Sequence, residues 1–326
     1  MAHVHLGVLV GDPRVRLVAV HDAVLEKAQT VAEKFQVPRV CKTYVELLSN
    51  EDVDLVLVLL PHDLHFGYSL EALQEGKHVV CEKPLATSML EASQLLAAAE
   101  RVRRYLLPVH NRVYDEATER AYQLITGGAL GEIFLAQTEG FEGPRTVAVR
   151  PWLATAQGGG GVLLAQAVHP AYLLRYLVGD VAAVACFFGR RRRVEMTHED
   201  TAVVALQFRN GAVGNMTATF GVTAGPLDHT VTLFGTEGWV HFRMAPPGRQ
   251  GQVLQALAPR AYGDDTLHEE YFPDRQGFRR MWDDYLHAIL TGRQPRVTAR
   301  DGAKAVEIIT AAYQSQAEGR AVPLDT

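Results

Sequence analysis

The residues of this chain best suited to chemistry are a lysine and a histidine 86 positions apart. Lys83 sits in Glu82-Lys83-Pro84, just past the apolar run His78 to Cys81, which reads as a strand. Open α/β sheets bind ligands in the crevice beyond the carboxyl ends of their strands, so an ammonium there can meet a developing negative charge. Pro84 biases Lys83 away from helix. His169 follows the glycine run Gly158 to Gly161, which can bring backbone close to a ligand, and falls near the start of a helical pattern. An imidazole titrates near neutral pH and can take a proton from an alcohol. Each also has a plainer reading, Lys83 as a solvated cation and His169 as a packed or surface residue. If both act together, the site is a cleft between two domains.

Asp22 directly follows the strand-like run Arg16 to Val20 and lies 20 positions beyond Ala2. That is the spacing at which a doubly wound nucleotide domain places the carboxylate that holds the ribose hydroxyls. Read so, Met1 to Leu6 is the end of a glycine-rich turn and the start of its helix, with Ala2 in the third fingerprint position. The first strand and both leading glycines of that pattern are absent from the sequence. That strand is central in the usual order, so its absence leaves the facing edges of Arg16 to Val20 and Val53 to Leu60 unpaired in a dry interior, at roughly 1–3 kcal/mol per group. We therefore expect the natural chain to begin roughly ten to fifteen residues earlier, a strand plus its turn. The rival expectation is that the two strands collapse together and cofactor binding is lost. Asp22, with Ala23 behind it, favours NAD over NADP because a carboxylate repels a 2′-phosphate; its plainer reading is a cap on the following helix.

The elements that must position these residues come in two sets. Up to about residue 112, buried strand patterns (Arg16 to Val20, Val53 to Leu60, His78 to Cys81 and a weaker Leu106 to Val109) alternate with helical ones (Ala23 to Phe35, Tyr44 to Ser49, Leu64 to Glu75, Ser88 to Arg104). Beyond about 130 the period changes. Thr201 to Phe208, Ala212 to Phe220, Thr230 to Phe234 and Trp239 to Phe242 read as strands separated by turn signals, with helices at Ala165 to Val178, Phe278 to Leu290 and Asp301 to Glu318. The expected fold class is α/β: a Rossmann-like doubly wound parallel sheet, then an α+β domain with a mostly antiparallel open sheet. The expected domains are 1–112, dinucleotide-binding and N-terminally incomplete, and 113–326, for substrate binding and oligomerisation. Pro246 to Gly251 reads as a flexible loop.

Composition narrows the partners. The 326 residues are 48% hydrophobic and 21% charged, an ordinary globular balance that excludes a disordered chain. The net charge is −5, split −2 and −3 between residues 1–112 and the remainder, so nucleic acid is not an expected partner. The longest apolar run, Leu55 to Leu60, falls far short of the roughly 20 residues that cross a bilayer, and no signal-peptide core is present. Three cysteines without a C-x-x-C pair suggest neither a disulfide framework nor zinc, which fits a reducing cytoplasm. His62 and His65 have metal-pair spacing but no carboxylate at the needed distance, so no metal is expected. Arg190 to Arg193 could hold phosphate; a solvated edge strand accounts for them better.

Several stretches together resemble the glucose-fructose oxidoreductase, inositol dehydrogenase and MocA family of NAD(P)-dependent oxidoreductases. Gly76-Lys77-His78-Val79-Val80-Cys81-Glu82-Lys83-Pro84-Leu85-Ala86 matches its G-K-H-V-x-x-E-K-P-x-A signature. Pro61-His62-Asp63-Leu64-His65 matches P-x-x-x-H, and Gly158 to His169 is similar to G-G-G-x-L-x-D-x-G-x-H. The resemblance implies that Lys83 reaches the nicotinamide ribose and the reacting hydroxyl and that His169 is the general base. It places Ala2, Asp22, Pro61, His65, Glu82, Lys83 and Asn111 at the cofactor, and Gln166, Tyr172 and Trp152 at the substrate. An ordinary domain junction explains Asn111 as well, and local capping or packing explains Gln166. Two departures stand out: the family's Asp four residues before the histidine is Ala165, and the acidic residue often found three after it is Tyr172. The implied activity is hydride transfer between a sugar, cyclitol or related polyol and NAD, in a homodimer or homotetramer. The other readings are an NAD-dependent glycosidase of the same family and a non-catalytic sugar- or nucleotide-binding protein.

Overall fold

Apolar three-to-four spacing and well-placed caps set the helices of the first half. The computed structural model describes residues 1–148, 150–155, 157–193, 195–223, 229–243, 251–273 and 276–324. Its nucleotide half runs α1 (Ala2–Leu9), β1 (Ala19–Val20), α2 (Leu25–Phe35), β2 (Arg39–Val40), α3 (Tyr44–Leu48), β3 (Leu55–Val58), α4 (His62–Gln74), β4 (His78–Cys81), α5 (Met89–Val102) and β5 (Leu106–Pro108). Thr43 caps α3 by accepting from the Glu46 amide, and Ser88 caps α5 by accepting from Glu91.

The parallel sheet of this half is in two pieces. β1 pairs with β2, and β3, β4 and β5 form a separate three-stranded sheet, all in parallel register. The expected strands Arg16 to Val20 and Val53 to Leu60 are correspondingly short, because a run without a ladder partner along one side keeps little regular hydrogen bonding. The expectation that their facing edges lie in a dry interior is met only in part. Val56 and Val58 are buried, whereas residues 15 and 17–20, Leu55 and Leu57 are half-buried and residue 16 is exposed.

The second half continues with the 3-10 turn Asn111–Tyr114, α6 (Glu116–Thr126), β6 (Ile133–Phe141), α7 (Pro144–Ala148), the 3-10 turn Pro151–Ala154, a π-helical turn Leu163–Ala167 and α8 (Val168–Val178). Then come β7 (Val181–Gly189), β8 (Thr201–Phe208), β9 (Val213–Thr219), β10 (His229–Gly235), β11 (Gly238–Arg243), β12 (Gln252–Leu257), α9 (Pro259–Tyr262), β13 (His268–Phe272), α10 (Gly277–Thr291), α11 (Ala299–Glu318) and β14 (Val322–Pro323). Nine strands form one sheet in the order β13-β12-β11-β10-β6-β9-β8-β7-β14, antiparallel except for β6 with β9. One face carries the helices. The other leaves Phe187, Val203 and Val213 exposed.

Arg190 to Arg193 are not an edge strand. β7 ends at Gly189, and the amides of Arg191, Arg192 and Arg193 all donate to Oδ2 of the buried Asp200 (3.1, 2.7 and 2.7 Å), which curls the chain away from the sheet. Residues 246–250 of the expected flexible loop lie outside the described residues. The three cysteines are buried and unbridged. No helix among the described residues is long and apolar enough to cross a membrane.

The two halves interlock through helices distant in sequence. Ala303 and Val306 of α11 belong to the nucleotide-half core, and α1 packs on α10. A Thr298–Asp301 capping box starts α11. The Tyr285 hydroxyl in α10 donates to the Pro108 carbonyl at the end of β5 (2.6 Å). The crevice beyond β3, β4 and β5 is therefore walled by the second half.

Candidate active site

Lys83 and His169 are brought together across that wall. The ammonium of Lys83 donates to the carbonyl of Ala165 at 2.5 Å, in the π-helical turn that leads into α8 and one turn ahead of His169. The peptide bond between Lys83 and Pro84 is cis. Burial lowers the Lys83 pKa to about 8; Glu82 opposes this, and the charges of Arg150 and Arg112 reinforce it. His169 is 8% exposed, and burial, followed by Arg112 and Lys83, holds its pKa well below the usual histidine range. A neutral imidazole thus faces a lysine that titrates not far above neutrality.

The two departures from the family pattern acquire a structural meaning here. Ala165, standing where the family has Asp, meets Lys83 through its backbone carbonyl, so the lysine has a neutral partner in that turn. Tyr172, expected at the substrate, instead puts its hydroxyl 2.8 Å from Nδ1 of His169. Its ring stacks on His110 with centroids 3.9 Å apart, and it is 3% exposed, which leaves little of it to touch a ligand. For Nε2 to take a proton, Nδ1 must carry the ring hydrogen and donate it to this oxygen. Gln166 is buried in the π-helical turn, and its Oε1 has no hydrogen-bond partner among the described residues, an acceptor in want of a donor.

Other expected cofactor contacts prove to be supports. One carboxylate oxygen of Glu82 accepts from Nε2 of His5 (3.1 Å) and the other from the Lys83 amide (3.2 Å). Nδ1 of His5 in turn accepts from the indole N–H of Trp282 in α10 (3.0 Å). Indole only donates, so His5 must carry its hydrogen on Nε2 and Glu82 must accept it. A buried relay therefore runs from α10 through α1 to the lysine turn. Both ring nitrogens of His65 face carbonyls, those of Pro84 (2.6 Å) and Leu60 (2.9 Å), so the ring has no donor to spare for a cofactor. Pro61 is the N-cap residue of α4. Trp152 packs edge-on against His62 with centroids 4.5 Å apart, and Nδ1 of His62 donates to the Gly159 carbonyl (2.7 Å).

That last contact explains the glycine run. Gly159 has φ +67°, and a Cβ there would lie 2.8 Å from the His62 Cβ; Gly161 has φ +94°, and a Cβ there would lie 2.3 Å from a Glu199 carboxylate oxygen. These close approaches are to protein rather than to a ligand. Glu199, which the sequence reading passed over, accepts from the Leu163 amide and the Tyr313 hydroxyl (both 2.9 Å) and so caps the turn carrying Ala165 and Gln166.

Two further charged groups were also passed over. Arg112 follows Asn111 at the end of β5, is 6% exposed and acts electrostatically on Lys83, His169 and Glu142. Glu142 follows β6: burial alone raises its pKa, but bonding to His229 (3.3 Å) and Thr146 (2.6 Å) and the Arg112 charge bring it down to about 2. Glu142 thus supplies an ionised carboxylate within electrostatic reach of Lys83, from a strand end instead of from position 165. A charged residue at a strand's end was the only signal available for either.

The nucleotide half can be tested against NAD. At the N-terminus of α1, Met1 provides no side-chain cap, and the first intrahelical amides to bond are those of Val4 and His5, so the Ala2 and His3 amides are open to a pyrophosphate. Asp22 uses Oδ1 to accept from the Val24 amide (2.8 Å) in a turn just ahead of α2, whose N-cap is Val24 without a side-chain cap, so the capping reading is not met and Oδ2 is left for ribose hydroxyls. Asn111 is buried just beyond β5, on the side of Lys83. These groups fit a dinucleotide lying from α1 to Lys83.

Comparison with known proteins agrees. Residues 1–110 match the oxidoreductase family's NAD-binding Rossmann fold, and residues 122–324 match its C-terminal alpha/beta domain. Myo-inositol 2-dehydrogenase of Thermotoga maritima is 24% identical over 313 residues, covering 95% of this chain and 91% of that protein. The crystal structure of GenD2 from gentamicin A biosynthesis, in complex with NAD, is 30% identical with a TM-score of 0.82, covering 99% of this chain and 93% of that one. Levoglucosan dehydrogenase, solved with NADH and levoglucosan, shares the fold at a TM-score of 0.88 and 21% identity, covering 99% and 94%. The chain, with its NAD-binding Rossmann half and its lysine turn facing α8, belongs to the Gfo/Idh/MocA family of oxidoreductases.

Proposed function

We propose that this protein reversibly oxidises a secondary hydroxyl of a sugar, cyclitol or related polyol, with NAD preferred over NADP. The observation that carries the proposal is the bond from Lys83 of one half to the Ala165 carbonyl of the other, one turn ahead of His169. When bound, NAD supplies the hydride acceptor at its nicotinamide ring. Substrate entry displaces the Lys83 ammonium from the Ala165 carbonyl onto the substrate oxygen, where its charge favours the alkoxide. His169, neutral and oriented through Nδ1 by Tyr172, takes the hydroxyl proton on Nε2. Arg112 and Glu142 set the local charge, and the unpartnered Oε1 of Gln166 can accept from a second substrate hydroxyl. The named relatives that act on inositol and levoglucosan support a polyhydroxylated substrate. The exposed apolar face of the nine-stranded sheet supports self-association as a dimer or tetramer, which sedimentation measures.

The test is incubation with NAD and a panel of sugars, cyclitols and anhydrosugars while following NADH. Net NADH release that is lost in Lys83→Met and His169→Asn, both still binding NAD by calorimetry, is the expected result. Bond cleavage without net NADH, or variants as active as the parent, overturns it.

A further inference from the structure

One histidine beside the lysine turn has both of its ring nitrogens on carbonyl oxygens. His65 lies in the first turns of α4 and is wholly shut off from water. Its Nδ1 is 2.6 Å from the Pro84 carbonyl and its Nε2 is 2.9 Å from the Leu60 carbonyl. A carbonyl oxygen accepts and never donates. A neutral imidazole has one N–H and one lone pair, so either tautomer aims a lone pair at a carbonyl in a place water does not reach. Only the imidazolium, with two N–H groups, satisfies both contacts.

The groups around the ring are consistent with that charge. The Cys81 thiol faces it from β4, the Glu82 carboxylate lies just past the same strand, and His62 meets it edge-on at 5.7 Å on its own helix. Burial works against the cation, but the Cys81 sulfur and the two carbonyls outweigh burial and raise the His65 pKa to about 9. In return His65 helps to keep Glu82 ionised and His62 neutral.

We propose that His65 is a positioning residue held at neutral pH as a buried imidazolium, whose two N–H groups staple Leu60, just past β3, to the lysine turn at Pro84. The staple fixes where the backbone delivers Lys83, and its charge is a second cation beside Glu82. The protonation state rests on the geometry alone; its kinetic consequence rests on the reading of Lys83 given above. Removing the ring frees the turn that delivers Lys83, so turnover falls.

Nitrogen-15 NMR of the histidine-labelled full chain tests the protonation state directly, with His65 assigned through its contacts to Pro84 and Cys81. Both ring nitrogens protonated from pH 6 to about pH 8 is the expected result, and one unprotonated nitrogen at pH 7 overturns the proposal. Cys81→Ser must keep the imidazolium, because the carbonyls hold it; loss of the second proton there overturns the proposal as well. In His65→Gln, kcat falls about tenfold with KM little changed, and an unmoved kcat in the folded variant refutes the positioning role. A chain that oxidises no polyol yet shows the doubly protonated ring removes the functional reading and leaves the staple standing.

Discussion

Ala165→Asp returns to the turn the carboxylate found elsewhere in the family, and its effect on Lys83 follows from the structure. The ammonium already touches the backbone of residue 165, so the new carboxylate comes within about 4 Å of it. At that distance and an effective dielectric of about 20 the attraction is about 4 kcal/mol, or about 3 pKa units at 1.36 kcal/mol per unit. Screening on the open side of the cleft halves this to about 1.5 units. Lys83 in the parent loses its proton as pH rises through about 8, so a reaction that needs the ammonium declines above that pH. In Ala165→Asp the decline moves to about pH 9 or higher. The chain has six lysines; reductive methylation with carbon-13 and NMR titration follows each, and Lys83→Met assigns the resonance. The reasoning is refuted if Lys83 in the parent titrates no lower than the usual lysine range, or does not move in the folded variant.

Tyr172→Phe removes the oxygen that holds Nδ1 of His169 and should lower kcat/KM about 10–100-fold with KM little changed, read by steady-state kinetics. Trp282→Phe leaves Nδ1 of the buried His5 without a donor; unfolding in urea should show a loss of about 1–3 kcal/mol, and an unchanged midpoint contradicts the relay. Gly161→Ala forces a side chain into the Glu199 carboxylate at a positive φ and should cost about 2 kcal/mol or more, measured the same way. Asp22→Ala should weaken NAD about tenfold and leave NADP unchanged or tighter by calorimetric titration; equal loss for both cofactors excludes a ribose role.

By itself the sequence determined the two-part plan, the positions of most helices and strands, and the pair Lys83 and His169. These are carried by local periodicity and by short motifs whose residues are neighbours in the chain. It also marked Ala165 and Tyr172 as departures, without saying what they do. Tertiary structure decided the rest, because it depends on which groups meet across long separations. Tyr172 is a support for His169 rather than a substrate contact because α8 turns its hydroxyl onto Nδ1. Glu82 and His65 are likewise consumed by His5, the Lys83 amide and two carbonyls, partners that no spacing rule connects. Trp282 lies 277 residues from His5, and Glu199 lies 36 residues from the amide it caps. A hydrogen bond is set by distance and direction in space, whereas the sequence records only order along the chain. The lysine and the histidine could thus be singled out from the letters, and the network around them only from the fold.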